Sequence, residues 1–146
     1  MPWNPEQCRR LAFEANILRR YMPLFRVCDP KGDTYIAGRP RTNGGREYET
    51  RLCLPPGYPH QSPGLYIVHP RTLRMHGGGT INSLGVSGAF HTLSNGPNGC
   101  VTICHTSNWD ASLTWVKVLH KLLLWLEAYE LHLKTGDEIV KYLPHG

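Results

Sequence analysis

No apolar run in this chain approaches the ~20 residues that a membrane-spanning helix requires. The opening Met1-Pro2-Trp3-Asn4-Pro5-Glu6 has no charged start followed by an apolar stretch, so a secretory leader is not expected. A soluble, cytoplasmic protein is the expectation. Paired cysteines are lacking too. The five cysteines, at 8, 28, 53, 100 and 104, are odd in number, which argues against a disulfide framework. Acidic residues are scarce, 11 against 16 Lys and Arg, leaving a formal charge of +5. That balance suits an acidic partner. No helix-turn-helix, zinc-finger or aromatic RNA-binding signature accompanies the charge, so nucleic acid is not the expected partner. There are no internal repeats and no composition break, and 146 residues suit one domain, 1–146, large enough for a true core.

What is present falls into three parts. Asn4, Pro5 and Gln7 form a helix start, with a capping side chain, proline at the first position and glutamine three residues after the cap. Cys8, Leu11, Ala15, Leu18 and Met22 then recur at spacings of three and four. They predict a helix over 5–21 whose opposite face carries Arg9, Arg10, Glu14 and Arg20. Short strands are expected at 24–28, 34–37, 48–54 and 65–68, linked by turns short enough for an antiparallel meander. Cys8, Cys28 and Cys53 lie in these patterned segments and read as buried packing residues.

From His69 to Gly99 the pattern dissolves into a glycine-rich stretch with no regular element to assign. A long unpatterned stretch in a small domain is usually functional or mobile. Beyond it, Asp110 or Ser112 can cap a helix over 112–134. Val116, Leu119, Leu122, Leu123, Leu126, Tyr129 and Leu133 give that helix a broad apolar face, and Gly136 sits where a C-terminal cap belongs. A short final helix over 137–142 is expected. The fold class is therefore α+β.

The chemistry concentrates around Cys100. It follows Asn98-Gly99, the end of a turn, where a side chain can stay accessible and backbone N–H groups can gather. A nucleophilic cysteine needs both, because the thiolate is the reactive species. Cys104 lies four residues further on. A zinc reading of Cys100, Cys104, His105 and His91 remains an alternative, although Cys-x3-Cys-His is not a common zinc spacing.

In order, His91, Asn95-Gly96, Cys100, Val101-Thr102-Ile103, Trp109 and Asp110-Ala111-Ser112-Leu113-Thr114 lead into the long helix. Upstream, Tyr58-Pro59-His60-Gln61-Ser62-Pro63 ends the meander. This succession, over roughly residues 5–135, resembles the ubiquitin-conjugating enzymes. The family's His-Pro-Asn is absent, since Thr92-Leu93 follows His91. Ala111 stands where the family has proline, and the stretch from Pro63 to His91 is longer. These departures resemble the stand-alone bacterial members of anti-phage conjugation systems.

The resemblance implies a ubiquitin-conjugating-enzyme fold: an N-terminal helix, a four-stranded antiparallel meander, an active-site loop and a long C-terminal helix. It implies a transferase that accepts the C-terminus of a ubiquitin-like protein, or of a cyclic-oligonucleotide synthase (a nucleotidyltransferase), as a thioester on Cys100. Transfer to an amine, usually a lysine of a target protein, follows. An activating enzyme is the implied partner, and the Arg-bearing face of the first helix could dock it. Neither cofactor nor metal is called for. Asn95 and Asn98 are candidates for the oxyanion donor, and His91 either supports the loop or acts as a base. Two other readings stand beside this one: a non-catalytic modifier-binding module of the same fold, and a zinc- or nucleic-acid-binding protein.

Overall fold

The computed structural model describes residues 3–144; Met1 and Pro2, where the leader was sought, lie outside them. Asn4 acts as its spacing predicts. Its side chain accepts the Gln7 N–H at 2.8 Å, and Gln7 Oε1 accepts the Asn4 N–H at 3.0 Å, a complete capping box. Helix α1 then runs Pro5–Tyr21.

The strands are β1 (Arg26–Cys28), β2 (Tyr35–Gly38), β3 (Glu49–Cys53), β4 (Gly64–His69), β5 (Thr92–Leu93) and β6 (Val101–Ile103). The expected meander is present as β1 to β4. The sheet does not stop at four strands, however, but continues to six antiparallel strands in the order β1-β2-β3-β4-β6-β5. Helix α2 runs Trp115–Thr135, and a single 3-10 turn covers Ile139–Tyr142. No helix among the described residues is long and apolar enough to cross a membrane.

One face of the sheet supplies Ile36, Leu52, Leu65, Ile67, Val101 and Ile103 to the core, which they share with Leu119, Leu122 and Leu126 of α2. Burying side chains of this size contributes about 1.5–3 kcal/mol each before entropy is counted. The other face carries the alternate residues, among them Tyr35, Arg51, Cys53 and Tyr66.

Several expectations are corrected. Helix α2 begins at 115 rather than 112. Asp110 and Ser112 close a turn of their own, with Asp110 Oδ1 accepting the Ser112 N–H at 2.8 Å, and Thr114 caps the helix by accepting the Lys117 N–H at 3.2 Å. Gly136 does end it, in the left-handed conformation at φ 80°. The 69–99 stretch is ordered by short devices. An Arg74–Thr80 bridge closes over Gly77-Gly78-Gly79, all at positive φ, a 3-10 turn spans Ile81–Leu84, and β5 follows. Leu73 and Ile81 anchor it in the core.

Glu14 is not on a solvated face. It is fully buried, accepting the Trp115 N–H at 3.0 Å and Arg10 Nε at 2.9 Å, while Arg10 Nη2 donates to the Leu113 carbonyl at 3.0 Å. A carboxylate there satisfies a free N–H in the first turn of α2 and complements that helix's dipole. Cys8 is exposed rather than buried, and Cys28 and Cys53 are only half-buried.

Candidate active site

Cys100 stands where a 3-10 turn, Pro97–Gly99, delivers the chain into β6. Three backbone bonds tie the turn: Gly99 N–H to Gly96 O at 3.0 Å, Cys100 N–H to Pro97 O at 3.3 Å, and Gly96 N–H to Cys100 O at 2.9 Å. Asn98 and Gly99 both adopt positive φ, 59° and 75°, which suits a small polar residue and a glycine. The Asn-Gly pair is therefore a geometric requirement of this turn.

Strand pairing sets the direction of the sulfur. Tyr66 of β4 lies opposite Thr102, and Cys100 is two residues before Thr102, so Cys100 shares the outer face with Tyr66. The Tyr66 ring packs against Gly96, where an added Cβ would meet it at 2.4 Å. The turn and Tyr66 together leave Cys100 only 4% exposed. Burial pushes the thiol above its ordinary range, partly offset by backbone hydrogen bonding at Cys100 and Gly96. Cys53 lies close enough to sense it: burial raises the Cys53 thiol, Arg51 lowers it and Cys100 raises it further. The Thr102 hydroxyl is buried without a hydrogen-bond partner. Such an orphaned group costs about 1–3 kcal/mol while the turn stays closed.

Of the other residues singled out from sequence, Asn95 and Asn98 share this turn and His91 does not. Asn95 is exposed and donates its amide to the Asn82 carbonyl at 2.9 Å. Asn98 is exposed at the apex. His91 sits opposite Cys104, whose N–H donates to the His91 carbonyl at 2.8 Å. That is four strand positions, about 13 Å, from Cys100. Cys104 is half-buried, donates its thiol to Thr106 O at 3.5 Å and, with His91 and Lys121, lines a cavity of about 300 Å³. The two sulfurs thus serve different places. Among the described residues no three His, Cys, Asp or Glu side chains gather as a metal site.

Asn82 and Tyr66 belong to the site, and sequence reasoning missed both. Asn82 donates to Gly99 O and to Arg71 O, each at 2.8 Å, and accepts the Leu73 N–H at 2.9 Å, pinning the cysteine turn to the 71–82 segment. An asparagine inside a glycine-rich stretch gives no signal of that role. Trp109 anchors the following loop, donating Nε1 to Pro59 O at 2.8 Å beside the rings of Tyr58 and His105.

No family model matches this chain, and no curated protein and no solved structure matches it at a significant level.

Proposed function

We propose that this protein is a thioester-forming conjugating enzyme of the ubiquitin-conjugating type, with Cys100 as the residue that carries the cargo. The observation that supports this most is the placement of Cys100. It is the residue at which a glycine-bearing turn enters β6, the strand between β4 and β5, after an antiparallel meander and before a long helix. The cargo in this reading is the C-terminus of a ubiquitin-like protein or of a cyclic-oligonucleotide synthase, delivered by an activating enzyme in a bacterial anti-phage setting.

The thiolate attacks the activated acyl carbonyl, expels the donor's thiolate and forms a thioester. A lysine amine then attacks the same carbonyl, loses a proton, and Cys100 leaves as thiolate. Covalent capture divides one difficult acyl transfer into two easier ones. The Gly96, Gly99 and Cys100 N–H groups are committed within the closed turn, so the donors for the oxyanion are the Asn98 amide at the apex and those N–H groups that lifting the turn releases. In the resting state the sulfur is covered, so loading requires residues 94–99 to lift. Gly96 and Gly99 lie within that segment, and lifting it also hydrates the stranded Thr102 hydroxyl. Both features favour a turn that opens on contact with the activating enzyme.

The test is reconstitution with an activating enzyme, a candidate modifier and ATP, read on non-reducing gels. The expected result is a thiol-sensitive adduct on the wild type and none on Cys100→Ser. A Cys100→Ser protein that still forms the thiol-sensitive adduct would overturn the assignment. The 4% exposure of Cys100 favours a second reading, a module of the same architecture that binds a modifier without chemistry. Modifier binding with no adduct in any condition that loads a known conjugating enzyme would select it.

A further inference from the structure

Two arginine clusters far apart in sequence, within 39–46 and 71–74, meet in the folded chain. They form a cleft of about 410 Å³ walled by Arg46, Arg74 and the acidic Glu47 and floored by Pro70, Leu73, Tyr48 and Tyr129. Arg39 and Arg41 are engaged by Glu47, and Arg39 also by Glu49. Arg46 and Arg74 are exposed, and among the described residues neither side chain makes an ion pair or hydrogen bond. The floor is rigid. Tyr48 donates to the buried Glu130 at 2.7 Å, and Tyr129 donates to the Arg74 carbonyl at 2.7 Å. The segment that carries Arg74 is tied to the cysteine turn, because the Asn82 amide donates to both the Arg71 and the Gly99 carbonyls.

We propose that this cleft binds an acidic, extended peptide segment with apolar residues interspersed, namely the stretch just before the C-terminal carboxylate that is delivered to Cys100. The identity of that peptide rests on the function proposed above; the cleft's chemistry does not. Two unpaired guanidiniums offer forks that match carboxylates bidentately, and half-buried Pro70 is the apolar contact on the floor between them. Single-stranded nucleic acid fits less well, because it needs exposed aromatic faces for stacking, and Tyr48 and Tyr129 are each only 2% exposed.

The probe is a fluorescein-labelled peptide of Asp, Glu and Leu ending in glycine with a free carboxylate, titrated with the full chain by anisotropy. Its control carries Asn and Gln in place of Asp and Glu. The acidic peptide is expected to bind, to weaken as salt rises, and to lose about tenfold affinity in Arg46→Glu and Arg74→Glu but not in Arg19→Glu on α1. Equal binding of the neutral peptide, indifference to the two cleft variants, or tighter binding of a single-stranded oligonucleotide through the same arginines overturns the proposal. Peptide binding that depends on Arg46 and Arg74, with no thioester ever formed by the wild type, removes the enzymatic reading and leaves the cleft. Normal thioester formation with Arg46→Glu and Arg74→Glu unchanged in binding removes the cleft alone.

Discussion

At the scale of single residues, the most consequential fact is that the candidate nucleophile is shielded while a bystander is not. Cys8 is exposed and Cys100 is buried. Iodoacetamide is therefore expected to modify Cys8 at least tenfold faster than Cys100, since the thiolate must be both formed and reached. Because burial raises the Cys100 thiol, its labelling rate should still climb beyond the ordinary thiol pKa of about 8.5. Mass spectrometry of timed digests checks both, and prompt labelling of Cys100 at neutral pH would show that the sulfur is not covered in solution. Glu14 makes a second prediction. Glu14→Ala removes the acceptor of the Trp115 N–H and leaves Arg10, partly exposed, only the Leu113 carbonyl; a buried donor left unsatisfied costs about 1–3 kcal/mol. Chemical denaturation should show a large drop in midpoint. The residue placed with the arginines on the charged face is thus among the most important for stability. Periodicity could not reveal this, because a buried charge on an apolar stripe looks the same in sequence as an exposed one beside it.

Among the elements, the cysteine turn is the one whose closure can be tuned. Gly96 has φ and ψ of −88° and −159°, open to any residue, so it is the Tyr66 ring, with the Thr102 hydroxyl close behind it, that forbids a side chain there. Gly96→Ala should push ring and turn apart at a cost of roughly 1–3 kcal/mol. It should also accelerate alkylation of Cys100, a gain in reactivity that simple destabilisation of a distant element would not give. Comparing labelling of Cys100 and Cys53 in that variant checks it. What was legible in sequence divides by length. Helix α1 was readable to its ends because Asn4, Pro5 and Gln7 mark the start and Pro23 follows the end, and β3 was readable from strict alternation. Strands β5 and β6 were not, being two and three residues long, too short for a period to register. The 71–82 hairpin was hidden for another reason: a few backbone bonds, such as Ile81 N–H to Leu73 O, close it around glycines at positive φ, and one amide, Asn82, pins it, none of which leaves a period in the sequence. At the site, the turn around Cys100 was visible in Asn98-Gly99. Its cover was not, because Tyr66 reaches it across strands.

For the molecule as a whole, His105 links stability to acidity. Burial lowers its pKa, Lys121 adds to this, and the bond from Nε2 to the Pro63 carbonyl, 2.8 Å long, works against it. The folded protein therefore holds His105 neutral below the unfolded value of about 6.5, where the unfolded chain binds the proton. Stability is complete above that value and declines as pH falls from it toward the folded pKa. Thermal midpoints from pH 8 to pH 5 should fall more steeply in the wild type than in His105→Gln; matching slopes would place the loss in other groups. The same ring packs edge-on to Trp109, which holds the loop after β6, so acid should loosen the region that follows Cys100 before it unfolds α2.

The cover over Cys100 has one more consequence, in redox chemistry. A permanently bare thiolate is open to peroxide and climbs from sulfenic to irreversible sulfinic acid. A sulfur reached only when a turn lifts meets oxidant only for the fraction of time it stands open. A closing preference of about 2.8 kcal/mol would leave roughly one molecule in a hundred uncovered. That slows damage by the same factor while a docked donor, which holds the turn open, still finds its acceptor. The resting structure thus trades readiness for chemical lifetime.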